Sequence, residues 1–294
     1  MMVELRPSGG CVMSLPIALQ LYSVRDEMVA DFEGTLRKIK GFGYDGVEFA
    51  SLYGKEPQYV KDFLNELGLT PISAHVSLEE ILEKKDEVFK TYKFIGCEYI
   101  VIPYLDEKRR PGGPLFEKTL EDMKEAGKKA KEHGLYLLYH NHDFEFIKID
   151  EKYGLDIIYE KISSDYLGVQ PDTCWIKVAK EDPVQYIKKY KGRVPVVHLK
   201  DFFKKDLYQE ENEDQIKMYD LLGVKPKDDI RQVSQETFTF KPLGYGMQNI
   251  PEILKASKEV GAQWVVVEQD MPAKGMTAIE SARLSIKYLN NIIW

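Results

Sequence analysis

One recurring pattern constrains the fold of this chain more than any other feature. A Lys/Glu-rich amphipathic stretch is followed by a glycine and then by a short apolar run rich in β-branched and aromatic residues. The glycines of the five copies are Gly43, Gly68, Gly96, Gly134 and Gly261. Glycine tolerates the left-handed backbone that ends a helix, so each copy predicts a helix followed by a strand. Strands that are apolar throughout favour a parallel sheet covered by helices.

Three further apolar segments, at 17–22, 166–170 and 194–199, raise the number of predicted strands to eight. Eight strand and helix units in 294 residues match the usual size of a (β/α)8 barrel. A doubly wound open sheet is the alternative, but no Gly-x-Gly-x-x-Gly follows the first strand, which weakens a dinucleotide-binding version. We therefore predict one (β/α)8 TIM barrel over residues 15–294, preceded by a flexible N-terminal leader at 1–14.

The region 201–247 interrupts this regularity, because a long charged segment separates the seventh and eighth predicted strands. Connections of this length are unusual and indicate a functional loop or an oligomer contact, with a solvated insertion as the open alternative. The segment leaves the strand that carries His198 and Lys200 and returns before the strand that carries Glu268. We therefore expect it to border the barrel mouth, with PLGYG at 242–246 as the hinge of a lid.

The composition is that of a globular protein, with 44% hydrophobic and 30% charged residues. The net charge of -7 is spread along the chain, and no basic stripe is interleaved with aromatic residues, so a small solute is a better partner than nucleic acid. The three cysteines, Cys11, Cys97 and Cys174, form neither a disulfide framework nor a Cys-x-x-Cys knuckle, which favours a reducing cytoplasm. The sequence contains no apolar run of the length that a signal peptide or membrane span requires.

Most of the unexpected polar residues lie at the C-terminal ends of the predicted strands. They are Glu48, His75, His140, His142, Asp172, His198, Lys200, Glu268 and Asp270. In a (β/α)8 barrel this end carries the active site, which several strands build together. Four of the five histidines fall there, and only His133 has the setting of an ordinary surface residue.

Histidine, aspartate and glutamate without a cysteine pair form a mixed nitrogen and oxygen set, which suits Mn, Mg, Co, Fe or Zn. A single strand-end histidine is commonly a hydrogen-bonded packing residue. Asp172, His198 and Glu268 together, however, would bury repelling carboxylates unless a counter-ion joined them. The pattern therefore predicts one divalent metal ion. Glu48 and His75 are predicted to contact the substrate, with hydrogen-bonded wall residues as the alternative.

Several short motifs together resemble one enzyme group. They are LQLYSVRDEM at 19–28, GFGYDGVEF at 41–49, YHNHDFEF at 139–146, PDT at 171–173, VHLKD at 197–201, PLGYG at 242–246 and VVEQD at 266–270. Together they resemble the sugar phosphate isomerase/epimerase family of the xylose-isomerase-like TIM barrel superfamily. That superfamily also includes ketose epimerases, inosose dehydratase and endonuclease-IV-type repair enzymes. The resemblance covers almost the whole predicted barrel.

The resemblance implies a particular set of metal ligands. In such relatives a metal is typically held by Glu, Asp, His and Glu on separate strands. Carried over, the last three positions fall on Asp172, His198 and Glu268, while the first falls on His140. The ketose epimerases use both glutamates as an acid/base pair on opposite faces of the substrate, and this chain keeps only Glu268 in that form.

The expected function is that of a metal-dependent isomerase or epimerase acting on a keto-sugar or sugar phosphate. An ion that holds a carbonyl and a neighbouring oxygen acidifies the adjacent C–H bond and stabilises an enediolate. Glu268 is predicted to be the base, and His142 or Glu145 the second proton-transfer group. Lys200 would neutralise a substrate oxyanion.

Aromatic residues near the predicted mouth, including Trp175 and Phe202, are candidates for an apolar platform under a sugar ring, with barrel packing as the alternative. A lyase, of the inosose dehydratase or keto-glycoside elimination type, would use the same enediolate to expel a leaving group. Two further alternatives are an endonuclease-IV-like phosphodiesterase, which the acidic balance disfavours, and a sugar-binding barrel without activity.

Overall fold

The computed structural model describes residues 15–211 and 237–292. The predicted leader at 1–14 and the centre of the 201–247 segment lie outside the described residues. In chain order the described strands are β1 (Ile17–Gln20), β2 (Gly46–Phe49), β3 (Thr70–His75), β4 (Tyr99–Ile102), β5 (Tyr136–His140), β6 (Lys148–Ile149), β7 (Lys152–Tyr153), β8 (Gly168–Gln170), β9 (Val196–Leu199), β10 (Asp201–Lys204), β11 (Phe238–Lys241) and β12 (Trp264–Val267).

Helices follow the strands around the outside of the sheet. They are α1 (Arg25–Ala30), α2 (Phe32–Phe42), α3 (Pro57–Leu67), α4 (Leu78–Lys84), α5 (Asp86–Ile95), α6 (Phe116–Glu132), α7 (Gly154–Lys161), α8 (Thr173–Val178), α9 (Pro183–Lys189), α10 (Lys205–Glu211), α11 (Ile250–Val260) and α12 (Ala278–Asn291). Short 3-10 helices span Leu21–Val24, Glu107–Arg109 and Phe144–Phe146. None of the described helices is long and apolar enough to cross a membrane.

The predicted glycines end helices as expected. Gly43 and Gly96, with φ of 102° and 118°, stand at the C-terminal caps of α2 and α5. Both occupy the left-handed region that side chains other than glycine rarely adopt. The helix-glycine-strand pattern of the sequence is thereby confirmed at these positions.

Eight parallel strands form the barrel, in the order β8-β5-β4-β3-β2-β1-β12-β9. β1 therefore pairs with β2 on one side and with β12 on the other, and Ile17 lies opposite Val265. Between β8 and β9 a single bridge joins Asp172 and His198, and the His198 N–H donates to the Pro171 carbonyl oxygen over 3.0 Å. The (β/α)8 prediction is confirmed.

Two apolar cores enclose the strands. The larger one lies between the sheet and the helices. The smaller one fills the lower half of the barrel interior with Ala18, Ile72, Tyr99, Val101, Leu138, Val196 and Val266, all buried. Burying one of the valine, leucine or isoleucine side chains of this cluster contributes about 1.5–3 kcal/mol. Above this layer, at the C-terminal ends of the strands, the interior becomes polar.

The antiparallel pair of β10 and β11 forms the base of the segment at 201–247. The PLGYG turn is fastened to this base through the buried Asp201 carboxylate. Its Oδ2 accepts from the N–H groups of Gly244 (2.9 Å) and Gly246 (3.0 Å), and its Oδ1 accepts from those of Phe202 (2.9 Å) and Gln248 (3.1 Å). The role of PLGYG as the hinge of a lid stays a prediction. In the structure this turn is bound to β10 through Asp201.

Candidate active site

Four of the predicted polar strand ends converge above the apolar layer. His140, Asp172, His198 and Glu268 are buried, and each offers a ligand atom that lies within 4.8 Å of the others. We refer to these four residues as the candidate ligand set. The barrel brings them together because β5, β8, β9 and β12 are parallel and end at the same rim.

Local hydrogen bonds aim His140 and Asp172 at each other. The Gln170 Oε1 lies 3.0 Å from Nδ1 of His140, which leaves Nε2 of the ring facing Asp172 Oδ2 at 3.5 Å. Asp172 caps α8, where its Oδ1 accepts from the N–H groups of Cys174 (2.8 Å) and Trp175 (3.1 Å). The protein thus holds Nδ1 of His140 and Oδ1 of Asp172, and the Nε2 and Oδ2 atoms of the same side chains point into the site.

Hydrogen bonds also orient the ring of His198, through both of its nitrogens. Its Nε2 lies 2.6 Å from Glu48 Oε1, and its Nδ1 lies 3.1 Å from Glu268 Oε2. Burial lowers the pKa of His198, but the neighbouring carboxylates of Glu48 and Glu268 outweigh it and raise the pKa to about 10. The donor set of two imidazole nitrogens and two carboxylates fits a divalent ion that would replace this proton.

Glu48 organises the hydrogen bonds around the candidate ligand set. Its buried carboxylate contacts Gln20 Nε2 (2.8 Å), His75 Nε2 (2.9 Å), His198 Nε2 (2.6 Å), Ser73 Oγ (2.5 Å) and Gln170 Nε2 (2.7 Å). Burial raises the pKa of Glu48, yet the two histidines hold it well below its usual value. Glu48, predicted to contact the substrate, is therefore not among the residues that line the cavity, and it holds the rings of His75 and His198 in place.

Lys200 supplies a buried positive charge beside the ligand set. Its Nζ lies 3.0 Å from Asp172 Oδ2, 2.8 Å from Glu268 Oε2 and 3.1 Å from Asp270 Oδ1. Burial lowers the pKa of Lys200, but these carboxylates outweigh burial and raise the pKa well above its usual value. The side chain is therefore an ammonium, and it offsets the negative charge of the three acidic residues.

A cavity of about 510 Å³ opens above these residues and forms the mouth of the barrel. It is lined by Tyr22, Ala50, His75, Ser77, Glu80, Pro103, Tyr104, His140, His142, Lys200, Glu268 and Asp270. A larger groove of about 620 Å³ is lined by residues of α8, α9, α10 and α11 and contains none of the ligand set. We therefore place the active site in the smaller cavity.

His142 lines this cavity between two aromatic rings. It stacks on Phe144 and Trp175, with 5.4 Å between ring centroids in each case. Its Nδ1 is buried without a hydrogen-bond partner among the described residues. Burial, helped by the charge of Lys200, lowers the pKa of His142 to about 3. The ring is therefore neutral and weakly basic, but it lies where a substrate would contact it.

Glu145 is not brought to the cavity. Its buried carboxylate accepts from the Tyr139 hydroxyl and from the His142 N–H, the latter over 2.8 Å. Burial raises the pKa of Glu145 to about 8. In this position it holds the loop after β5, and thereby the backbone of His142, rather than facing a substrate.

The remaining predicted residues divide between the wall of the cavity and the core. His75 lines the cavity, with Nε2 2.9 Å from both Glu48 and Gln170. Trp175 lies behind His142 and stacks on Phe238 at 6.1 Å. Phe202 is fully buried against Phe238, at 5.5 Å, so it serves packing.

Two site residues were missed at the level of sequence. Gln20 and Gln170 end β1 and β8 and are fully buried around Glu48. Their position at the last residue of a strand is the same signal that identified His140. Their amides do not titrate, so the pattern of ionisable residues at strand ends does not include them.

Comparison with known proteins places the chain in one family. The family model of the xylose isomerase-like TIM barrel matches residues 36–292. The chain therefore belongs to the xylose isomerase-like TIM barrel family, which confirms the superfamily inferred from the motifs.

Individual relatives carry names from two reaction classes. The inosose dehydratase of Lacticaseibacillus casei is 23% identical over 280 residues, covering 88% of this chain and 89% of that protein. The structure of a sugar phosphate isomerase/epimerase from Parabacteroides distasonis superimposes with a TM-score of 0.70 at 21% identity, covering 96% of both chains. An IolI protein with a bound zinc atom superimposes with a TM-score of 0.69 at 15% identity, covering 94% of this chain and 96% of that one.

Proposed function

We propose that this protein is a metal-dependent dehydratase of an uncharged, polyhydroxylated carbonyl compound. The observation that carries the proposal is a base and an acid side by side in the cavity wall, namely the Glu268 carboxylate and the Lys200 ammonium, 2.8 Å apart. A divalent ion held by the candidate ligand set would polarise the substrate carbonyl and acidify the neighbouring C–H bond.

Glu268 is assigned as the base that removes this proton. His198 and Lys200 both contact its Oε2, and the carboxylate lines the cavity. We therefore assign Oε1 as the proton acceptor. Lys200 is assigned as the acid that protonates the hydroxyl on the next carbon. The C–H electron pair forms a C=C bond, the C–O bond breaks, and the hydroxyl departs as water.

The position of the two groups favours elimination over epimerisation. Glu268 directly follows β12 and Lys200 directly follows β9, and these strands are neighbours in the barrel. The base and the acid therefore approach the substrate from one wall, as an elimination on one face requires. An epimerase needs two bases on opposite faces, and the ammonium of Lys200 cannot act as a base.

The charge of the cavity supports an unphosphorylated substrate. Among the described residues that line it, Lys200 is the only lysine or arginine, and three carboxylates already surround it. Glu80, Glu268 and Asp270 line the same cavity. A phosphate dianion would meet this acidic wall without an unpaired cation, whereas sugar hydroxyls can donate to the carboxylates.

A backbone site that could hold a phosphate is filled by the protein itself. In many (β/α)8 enzymes the loops after the seventh and eighth barrel strands bind phosphate through N–H groups. Here the N–H groups of Gly244 and Gly246 donate to the buried Asp201 carboxylate. A Cβ at Gly246 would lie 2.1 Å from Asp201 Oδ1, which shows how closely the loop wraps this side chain.

Relatives named inosose dehydratase support a dehydratase as the reaction class. Isomerisation or epimerisation is the second candidate. It is favoured by His142, which lines the cavity from the end of β5 rather than from the wall of Lys200, and by fold neighbours named sugar phosphate isomerase/epimerase.

The test uses Mn²⁺-loaded protein, a panel of keto-cyclitols and keto-sugars, and deuterated water. Wild type should release water from its substrate, a loss seen by mass spectrometry. Lys200→Met should retain label uptake beside the carbonyl while water loss falls by about 10²-fold or more. Lys204→Met, outside the cavity, is the matched control and should behave as wild type. Label uptake at intact mass in the wild type would instead establish the isomerase or epimerase.

A further inference from the structure

A second cavity adjoins the mouth of the barrel on the side of the loops after β2 and β3. Its volume is about 390 Å³. It shares Ala50, His75 and Glu80 with the larger cavity, so the two lie side by side. Its own lining consists of Ser51, Leu52, Tyr53, Gly54, Pro57, Lys84, Glu87, Val88, Thr91 and Tyr92.

The walls of this second cavity are preformed. Val88 and Tyr92 of α5 are buried in the protein core and present an apolar surface. Tyr53 has φ of 52°, a left-handed conformation that is uncommon for a bulky residue. The Tyr53 hydroxyl donates to the Leu21 carbonyl oxygen over 3.1 Å, which anchors the ring beside the first loop of the mouth. Strain held in this manner is typical of ligand-binding loops.

The polar groups of the second cavity indicate an uncharged occupant. Lys84 pairs with Glu80 over 2.9 Å, and Glu87 adds a further carboxylate, so the lining has no excess of positive charge. Ser51 and Thr91 contribute hydroxyl groups. A lining that mixes hydrogen-bonding groups with the apolar surfaces of Leu52, Pro57 and Val88 suits a sugar ring or a similar uncharged ring.

The junction between the cavities shows how such a ring would be attached. His75 borders both cavities, and its Nε2 is held 2.9 Å from Glu48 and from Gln170. A group bound in the second cavity would therefore lie next to a substrate bound over the ligand set. One covalent link passing His75 would join the two.

We propose that the second cavity is a subsite for an uncharged ring substituent of the substrate, so that the substrate is a glycoside rather than a monosaccharide. This inference rests on the proposed function for the position of the reacting ring. It concerns binding, however, and it is tested by binding alone.

The experiment compares matched ligands on Mn²⁺-loaded protein by titration calorimetry. Each pair consists of a keto-monosaccharide and the same compound carrying a glucosyl or phenyl group. The substituted member should bind about tenfold more tightly or better, equivalent to about 1.4 kcal/mol. Thr91→Trp, which fills the subsite, should bring the two Kd values together. Lys90→Trp, on the exposed side of the same helix, should preserve the difference.

Each outcome decides the question. Equal Kd values within every pair, or a difference that survives Thr91→Trp, would overturn the subsite. The absence of binding by any member would overturn it as well. Tight binding of the substituted member without label uptake or water loss would uphold the subsite and contradict the proposed reaction. Turnover of monosaccharides, combined with equal affinity for both members of each pair, would contradict the subsite and uphold the proposed reaction.

Discussion

The lower and upper halves of the barrel interior differ sharply, although the same strands build both. A step of two residues along a strand leads from Leu138 to His140, from Val196 to His198 and from Val266 to Glu268. All six side chains are buried. The lower residue of each pair packs in an apolar cluster, and the upper one belongs to a network of charged hydrogen bonds.

The two layers obey different rules of stability and tolerance. Packing in the lower layer depends on volume and has no preferred direction, so residues of similar size can replace one another. The upper layer depends on pairing, because a buried charge that loses its partner costs several kcal/mol. The lower layer therefore supports the strands, and the upper layer holds the residues to which we assign the chemistry.

The largest effect is expected from Glu268→Gln in the upper layer. This change removes one anionic ligand and the assigned base, so activity should fall by about 10²–10⁴-fold. Elemental analysis should show that the metal, present at about one equivalent in the wild type, is largely lost. His198→Ala should behave alike, whereas His133→Ala, at the end of α6, should not. Full metal content in all three variants would show that the candidate ligand set does not hold the metal.

Leu138→Ala, two residues before His140, tests the lower layer, where we expect a loss of stability but not of metal affinity. A cavity in the lower layer should lower the free energy of unfolding by about 2–5 kcal/mol. Metal affinity of the folded variant should stay close to that of wild type. Denaturant unfolding and chelator competition measure the two quantities. A variant that loses metal affinity along with stability would show that the layers are not separable.

Glu145 provides a pH test beside the upper layer. Burial raises its pKa to about 8 in the folded protein, so between the unfolded pKa of about 4.5 and this value the folded state holds a proton that the unfolded state has lost. Stability should therefore decline by about 1.4 kcal/mol per pH unit as pH rises through this window, and level off above it. Denaturant titrations of wild type and Glu145→Gln check this, since the variant should lack that slope. An equal slope in both would assign it to other groups.

The smallest effect is expected from Glu48→Gln, which changes the support of the ligand set and none of the ligands. Replacing the carboxylate that holds His198 should weaken metal binding by about 10–100-fold. With Co²⁺ as the probe, the visible spectrum should shift because the His198 ring loses its fixed orientation. Ser73→Ala removes one hydroxyl donor to the same carboxylate and should change the spectrum less. Unaltered affinity and spectrum in Glu48→Gln would reduce Glu48 to a packing residue.

Much of this architecture could be predicted because it is written in local patterns. Apolar runs after helix-ending glycines gave the strands, and ionisable residues at strand ends gave Asp172, His198 and Glu268. Glu145 shows where such reasoning stops. The chain leaves β5 and enters the 3-10 helix at Phe144–Phe146, so the alternation of a strand no longer decides where the side chain points.

The roles of the two ring nitrogens in each histidine were beyond prediction for a different reason. Gln170 of β8 contacts Nδ1 of His140, and Glu48 of β2 contacts Nε2 of His198. These contacts join residues that are distant in the chain. Only the closed barrel brings them within hydrogen-bonding distance.

The order of strands in the sheet determines when the site can exist during folding. In the described sheet β9 pairs along its length with β12 and meets the chain after β8 only at the bridge between Asp172 and His198, while β12 is placed by pairing with β1, at the other end of the chain. Contacts of such long separation form slowly, because the intervening chain must be ordered first. Glu268 thus reaches Asp172 and His198 only after the final strand has docked. A chain released before that strand is made would hold much of a barrel but not the complete candidate ligand set.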